Sequence, residues 1–239
     1  MEKINLTKLI AESSPYSRRQ AEKIIRMGEV KINDRIALLG EKADKNDKIE
    51  INGKEIKFQN TKIYIKLNKP VDYVCTNRIF PGEKNIFSLL PKENNLFSIG
   101  RLDKNSHGLI VLSNDGDLTY KLTHPRFQHE KIYLVKLKEN YFLKNKGLLG
   151  EILSKFKEGV DIGDRTLAKA KKIEIINDNT FRIILTEGKK RQIREMFNYF
   201  NLKVTDLKRT DFAGINLGNL KEGEWTNLNP EEIKKLKNI

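Results

Sequence analysis

Residues 98–125 read SIGRLDKNSHGLIVLSNDGDLTYKLTHP, and the order of features in this stretch decides how the rest of the chain is read. Gly100 permits a tight bend. Arg101-Leu102-Asp103 sets a carboxylate two residues from a guanidinium, and Ser106 and Gly108 mark a second turn. Leu109 to Leu112 is an apolar run of the length of a short buried strand. Asn114-Asp115-Gly116-Asp117 reads as a turn, and Leu118 to Leu122 as the start of a helix. A strand-flanked loop with one acid among basic residues is a reasonable place for catalytic chemistry. The same residues also fit an Arg–Asp pair that staples the loop, and composition alone favours the staple.

The flanking segments fill in an alternation of strands and helices. Residues 62–76, KIYIKLNKPVDYVCT, predict a strand up to Leu67, broken at Lys69-Pro70 and resumed at Tyr73-Val74-Cys75. KIYLVKL, residues 131–137, predicts a strand buried on both sides, with Tyr133 within it. In KKRQIREMFNYF, residues 189–200, Ile193, Met196, Phe197 and Phe200 form a helical stripe with Arg194 at its edge. There a stem can pack while the charged head reaches a pocket. Lys189, Lys190 and Arg191 are expected to begin that helix, where side chains and exposed N–H groups can bind phosphate.

Upstream, the first sixty residues form a separate pattern. Asn5 is placed to cap a helix over Leu6, Leu9 and Ile10. Ser17 starts a second helix with Gln20 as its capping-box partner, and Gly28 ends it. Two short alternating segments follow, EVKIN and DKIEING, with Asn33-Asp34 and Asn52-Gly53 as turns. Arg18, Arg19 and Lys23 fall on the solvent side of the second helix, where a plain solvated face fits the spacing equally well.

Charge narrows the partner. The 239 residues hold 46 Lys and Arg against 32 Asp and Glu, a formal net charge of +14. Residues 1–60 carry only +3 of it, leaving +11 for residues 61–239. A field of that sign attracts a polyanion. No apolar run reaches the ~18–20 residues of a membrane-spanning helix, so nucleic acid is favoured over a membrane. The single cysteine, Cys75, excludes an internal disulfide and a thiolate-rich zinc site, and reads as a buried apolar residue in a reducing compartment. Asp115 and Asp117 lack the spaced ligands and closing Glu of a calcium loop. His107, His124 and His129 lack zinc-ligand spacing, and neither a phosphate loop nor a dinucleotide fingerprint is present. The expected chemistry rests on a lone acid and needs no cofactor.

Two resemblances give these residues roles. Ser17-Arg18-Arg19, Ala21, Ile24, Gly28-Glu29-Val30 and Lys31-Ile32-Asn33 resemble the S4 RNA-binding domain, with Asp34 where that pattern usually has glycine. The resemblance implies that Arg18, Arg19, Lys31 and Arg35 line an RNA-facing surface. Gly100-Arg101-Leu102-Asp103, Ser106, Gly108-Leu109, Leu112, Asn114-Asp115-Gly116 and His124-Pro125 resemble the RsuA-type family of ribosomal RNA pseudouridine synthases. So do His129-Glu130-Lys131 with Tyr133-Leu134-Val135, and Glu187-Gly188 with Arg191-Gln192-Ile193-Arg194 and Met196. Asn68-Lys69-Pro70 and Gly223-Glu224-Trp225 fit its flanking blocks, and the wording is closest to the RluF branch, which acts on large-subunit RNA.

The resemblance implies an enzyme that breaks the N1–C1′ bond of a uridine and rejoins the ring through C5. It implies Asp103 as the essential carboxylate, Tyr133 stacking on the extruded base, and Arg194 holding Asp103 ionised. Arg101 would fill the gap left in the RNA, and Lys189, Lys190 and Arg191 would hold its backbone. The expected fold is α+β: an S4-like domain over residues 1–60 and a catalytic domain over 61–239. The latter has a mixed, mostly antiparallel sheet flanked by helices. The expected partner is ribosomal RNA, 23S in preference to 16S, for a cytoplasmic, monomeric protein. A non-catalytic RNA-binding assembly factor on the same fold, and a DNA-binding protein, are the competing readings.

Overall fold

The computed structural model describes residues 3–58, 61–78, 80–91, 96–138, 146–163 and 167–238. The chain divides into two compact units, Met1–Lys62 and Ile63–Ile239. The expected junction after residue 60 adjoins residues 59–60, which lie outside the described residues.

In the first unit, local signals set both helices. Asn5 caps α1 (Leu6–Ser13) by accepting from Thr7 N, and Ser17 and Gln20 close a reciprocal capping box on α2 (Arg18–Arg26). Such a cap contributes about 1 kcal/mol. Each turn dipeptide makes a hairpin. Asn33-Asp34 joins β1 (Val30–Ile32) to β2 (Arg35–Ile36), and Asn52-Gly53 joins β3 (Ile49–Ile51) to β4 (Lys54–Glu55). All four turn residues have positive φ, the requirement of a two-residue hairpin turn. Leu6, Leu9, Ile10, Ala21, Ile24, Ile25, Val30 and Ile49 bury against one another as this unit's own core.

The second unit is built on one large sheet. Its strands are β5 (Tyr64–Lys69), β6 (Phe97–Ile99), β7 (His107–Ser113), β8 (Lys131–Leu137), β9 (Lys172–Asn177), β10 (Thr180–Leu185), β11 (Val204–Phe212), β12 (Ile215–Asn216) and β13 (Trp225–Asn227). The order is β9-β10-β8-β11-β7-β5-β13, with β6 on β7 and β12 on β11. Every pairing is antiparallel except β7 with β11. The architecture is therefore α+β with a mixed, mostly antiparallel sheet.

Helices cover both faces. α4 (Lys146–Glu158) and α5 (Gln192–Asn198) pack on one side, and α3 (Gly116–Thr123) and α6 (Pro230–Lys237) on the other. Central β7 is buried along its whole length. Ile110 and Leu112 enter the core under α4 and α5, and Leu109 and Val111 the core under α3 and α6. Phe197 of α5 packs edge-on against Phe156 of α4 at 5.0 Å and tilts against Phe181 of β10 at 5.4 Å. Burial of such a ring is worth about 1.5–3 kcal/mol, which fixes α5 and the residues leading into it.

Three expectations change. The strand predicted to stop at Leu67 runs through Asn68 to Lys69, because both are buried and Lys69 pairs with Gly108. Tyr73-Val74 does not resume that sheet but pairs in parallel with Lys84-Asn85 in a separate two-stranded piece. β8 is buried on one face: Tyr133, Val135 and Leu137 enter the core while Ile132, Leu134 and Lys136 stay at least partly exposed. Two of the covering helices carry signals the sequence analysis did not use. α6 has an Asn229–Glu232 capping box with Pro230 at its first position, and α3 is capped by Asp115 accepting from Leu118 N.

Candidate active site

The loop before β7 carries Asp103, and cationic side chains grip its backbone. The Lys69 ammonium, fully buried, donates to Pro70 O at 2.9 Å, Lys104 O at 3.3 Å and Ser106 O at 2.7 Å. Three carbonyls thus take all three of its protons. Burial nevertheless pushes its pKa down to about 8, against the pull of acidic neighbours that include Asp103. From α5, Arg194 donates to Asn105 O at 2.7 Å and Val204 O at 2.9 Å. Carbonyls of three successive residues, 104 to 106, are therefore held by two cations. A turn from Ser106 N to Asp103 O at 3.0 Å completes the loop.

With its backbone held, Asp103 projects half-buried into an open cleft of about 740 Å³. Tyr133, only 8% exposed, lines the same cleft from β8. Arg101, exposed, and Lys104 neighbour Asp103 in the chain, and Lys189, Lys190 and Arg191 line the same cleft. Lys131, partly buried, and Arg209, buried, line it as well, and Asp103 and Glu187 are the acidic lining residues. No ion pair joins Arg101 to Asp103 among the described residues, so the stapled-loop reading has no support. A basic cleft with an aromatic wall, and with Asp103 free of an ion pair among the described residues, suits an anionic substrate carrying a planar ring.

Arg194 does not line this cleft; it sits behind the Asp103 loop, with its Nε buried and unpartnered. Burial, then Arg191, lowers its pKa, and the charges of Asp103 and Asp206 oppose that shift. Its contact with the Asp103 region is through the Asn105 carbonyl, which makes it a positioning group in this geometry. Lys189, Lys190 and Arg191 precede α5 instead of starting it. Arg191 is the N-cap in a left-handed conformation, φ 55° and ψ 22°, and makes no side-chain cap.

Buried Gln192, which the sequence analysis named within a motif but gave no role, organises that basic turn. It donates to Glu187 Oε1 at 2.7 Å and Lys169 O at 3.1 Å, and accepts from Lys189 N at 3.1 Å. Lys189 donates to Leu167 O and Arg191 pairs with Glu195 at 3.3 Å, which leaves exposed Lys190 as the freest of the three cations.

In the first unit Arg18, Arg19, Lys31 and Arg35 are all exposed. Arg35 spends part of its charge on Glu41 at 2.7 Å. Among the described residues no group of three potential ligands could hold a metal ion, and no helix is long and apolar enough to cross a membrane. Cys75 is buried, and burial pushes its thiol up.

Lys131 gives the cleft a pH response. Burial first, and then the charge of Arg209, push its pKa down to about 8. The ammonium is present below that value and lost above it. RNA affinity is expected to fall as pH rises through about 8 at constant ionic strength, and Lys131→Met should flatten that step. Equal pH profiles for the two proteins between pH 7 and 9, in a filter-binding titration, would contradict this.

Comparison with known proteins agrees with the geometry. A family model described as RNA pseudouridylate synthase matches residues 63–199, and an S4 domain model matches residues 5–49. The dual-specificity RNA pseudouridine synthase RluF of Escherichia coli (strain K12) is 36% identical over 96% of this chain and 77% of its own. Ribosomal large subunit pseudouridine synthase B of Bacillus subtilis is 34% identical over 97% of this chain and 95% of its own. A crystal structure of a pseudouridylate synthase superposes with a TM-score of 0.67 at 31% identity, covering 98% of this chain and 99% of that one.

Proposed function

The chain belongs to the RNA pseudouridylate synthase family, and we propose on that premise that it isomerises uridine to pseudouridine in ribosomal RNA, with the large-subunit RNA as its target. The observation that carries this reading is the placement of Asp103 and Tyr133 in one basic cleft, the carboxylate without an ion-pair partner among the described residues. An S4 unit with exposed Arg18, Arg19 and Lys31 adds a second RNA-facing surface. The name of the relative from Bacillus subtilis favours large-subunit RNA over small-subunit RNA, and on this reading the reaction takes place with the ribosome in the cytoplasm.

The roles are those the resemblance implies, and the placement of the side chains is compatible with them. A uridine inside folded RNA must leave its stack, at a cost of a few kcal/mol. Arg101, exposed at the cleft, occupies the space the base vacates, while Lys190 and Arg191 hold the flanking phosphates. Tyr133 supplies an apolar ring for the extruded base to lie against. Asp103 acts at the sugar or the pyrimidine as the N1–C1′ bond breaks. Arg194 keeps the loop of Asp103 in place through Asn105 O. All of the roles named here fall to groups of the protein itself.

Mapping pseudouridines in ribosomal RNA from cells with and without the gene tests the reading. One or a few large-subunit uridines should remain unmodified in the deletion strain and be restored by the wild-type gene. Identical maps for both ribosomal RNAs would overturn it.

A further inference from the structure

The structure leaves one buried cation unexplained by these roles. Arg209 lies on β11, 1% exposed, directly opposite Tyr133 on β8 and opposite Gly108 on β7. Residues opposite each other on adjacent antiparallel strands place their side chains on the same face. Arg209 accordingly lines the cleft beside Tyr133. Its Nε donates to Leu109 O at 2.7 Å, and the guanidinium carbon sits 5.2 Å from the centroid of Phe212.

The other end of the group is unused. Nη2 is buried without a hydrogen-bond partner, and no carboxylate pairs with Arg209 among the described residues. A guanidinium does not lose its charge in a protein. The neighbouring cation, Lys131, makes the position worse, since each disfavours the other's charge. A buried charge without a counter-charge is costly to hold. An oriented, dry donor of this kind becomes valuable where negative charge appears during a reaction.

Isomerisation creates such a charge on the ring. When N1–C1′ breaks, its electron pair stays with the uracil and spreads over the carbonyl oxygens O2 and O4. C5–C1′ then forms, C5 loses its proton and N1 gains one, so the charge is transient and confined to the base. We propose that Arg209 is a further catalytic residue, its free Nη end donating to a uracil carbonyl oxygen and stabilising the charge that develops there. This rests on the proposed function, and extends the cleft's machinery to a residue on the central strand.

The test combines Arg209→Gln and Arg209→Lys with substrate RNAs carrying 2-thiouridine or 4-thiouridine at the target, sulfur being a poorer acceptor than oxygen. Single-turnover rates at saturating enzyme should fall about 10²–10³-fold for Arg209→Gln, the range seen for loss of one such donor. RNA affinity and melting temperature should stay close to wild type. One thio substitution should slow wild type markedly and the variant hardly at all. Arg209→Lys keeps the charge, so it carries the comparison if the glutamine variant melts at assay temperature. A rate within threefold of wild type for a folded variant, or fully additive losses with both thio RNAs, would overturn the proposal. If wild type converts uridine in no ribosomal RNA, the functional reading falls and the proposal falls with it. An active wild type with indifferent variants removes Arg209 alone.

Discussion

Asp103→Asn is expected to take conversion of the target uridine below detection, a loss on the order of 10⁴-fold or more, near or above the upper end of what one acid–base group supplies. Asparagine keeps the size and much of the hydrogen-bonding capacity of the side chain but removes the charge and the nucleophile or base. The loop itself should not move. It is held through the backbone carbonyls of residues 104–106 by Lys69 and Arg194, and Asp103 joins it through its own carbonyl accepting from Ser106 N. RNA affinity, by contrast, depends on phosphate contacts over a surface of net charge +14. It should be unchanged or slightly stronger once one negative charge leaves the cleft. A gel shift and a single-turnover assay on the same RNA separate the two effects. Appreciable conversion by the variant, after deamidation of the new asparagine has been excluded, would remove Asp103 from its role.

What could be read from the sequence divides along a physical line. Caps and hairpin turns were legible because their partners lie within a few residues: Ser17 with Gln20, Asn33 with Asp34, Asn52 with Gly53. The loop of Asp103 was legible as a motif, and its cleft gathers Arg101, Asp103, Tyr133, Lys189, Lys190 and Arg191. The residues that hold the cleft together were not legible. Lys69 looks like the polar end of a strand until Lys104 and Ser106, some 35 residues on, supply its acceptors.

Arg209 sits in LKRT, which reads as an ordinary amphipathic strand until β8 and β7 close on both sides of it. Arg194 was expected at the edge of the apolar stripe with its head toward a pocket; it is half-buried on α5, and its reach is set by Asn105 and Val204, neither of them on α5. Long-range partners decide these roles, and periodicity carries no record of them. The displaced start of α5 has a similar cause. The buried amide of Gln192 ties Lys189 N and Glu187 into a turn, and Arg191 takes the left-handed conformation that ends it.

Gly108→Ala should produce the largest loss of stability of any Gly→Ala change among the described residues of the second unit. Gly108 has φ +102°, a conformation that side chains disfavour, and a Cβ there would lie 2.3 Å from Arg209 O, 2.8 Å from Arg209 N and 3.0 Å from Arg209 C. These are backbone atoms of a central strand and cannot swing aside. They belong to the one parallel pairing of the main sheet, whose register holds just His107 with Lys208 and Gly108 with Arg209. Backbone strain costs about 1–3 kcal/mol, and overpacking about 1–3 kcal/mol more. The sum is a large part of the ~5–15 kcal/mol that keeps a domain folded. Gly100→Ala is the matched control: its φ is +76°, but nothing lies within 4 Å of the added carbon, so it carries strain without collision. Trp225, the sole tryptophan, lies on β13 and reports unfolding of this unit by fluorescence. Denaturant unfolding of the full chain should show Gly108→Ala losing at least about 2 kcal/mol more than Gly100→Ala. Equal losses would mean that β7 and β11 can part without cost. The close approach of Gly108 would then not be what holds Arg209 beneath the cleft, since the same contact that forbids a side chain at 108 fixes the backbone from which that guanidinium extends.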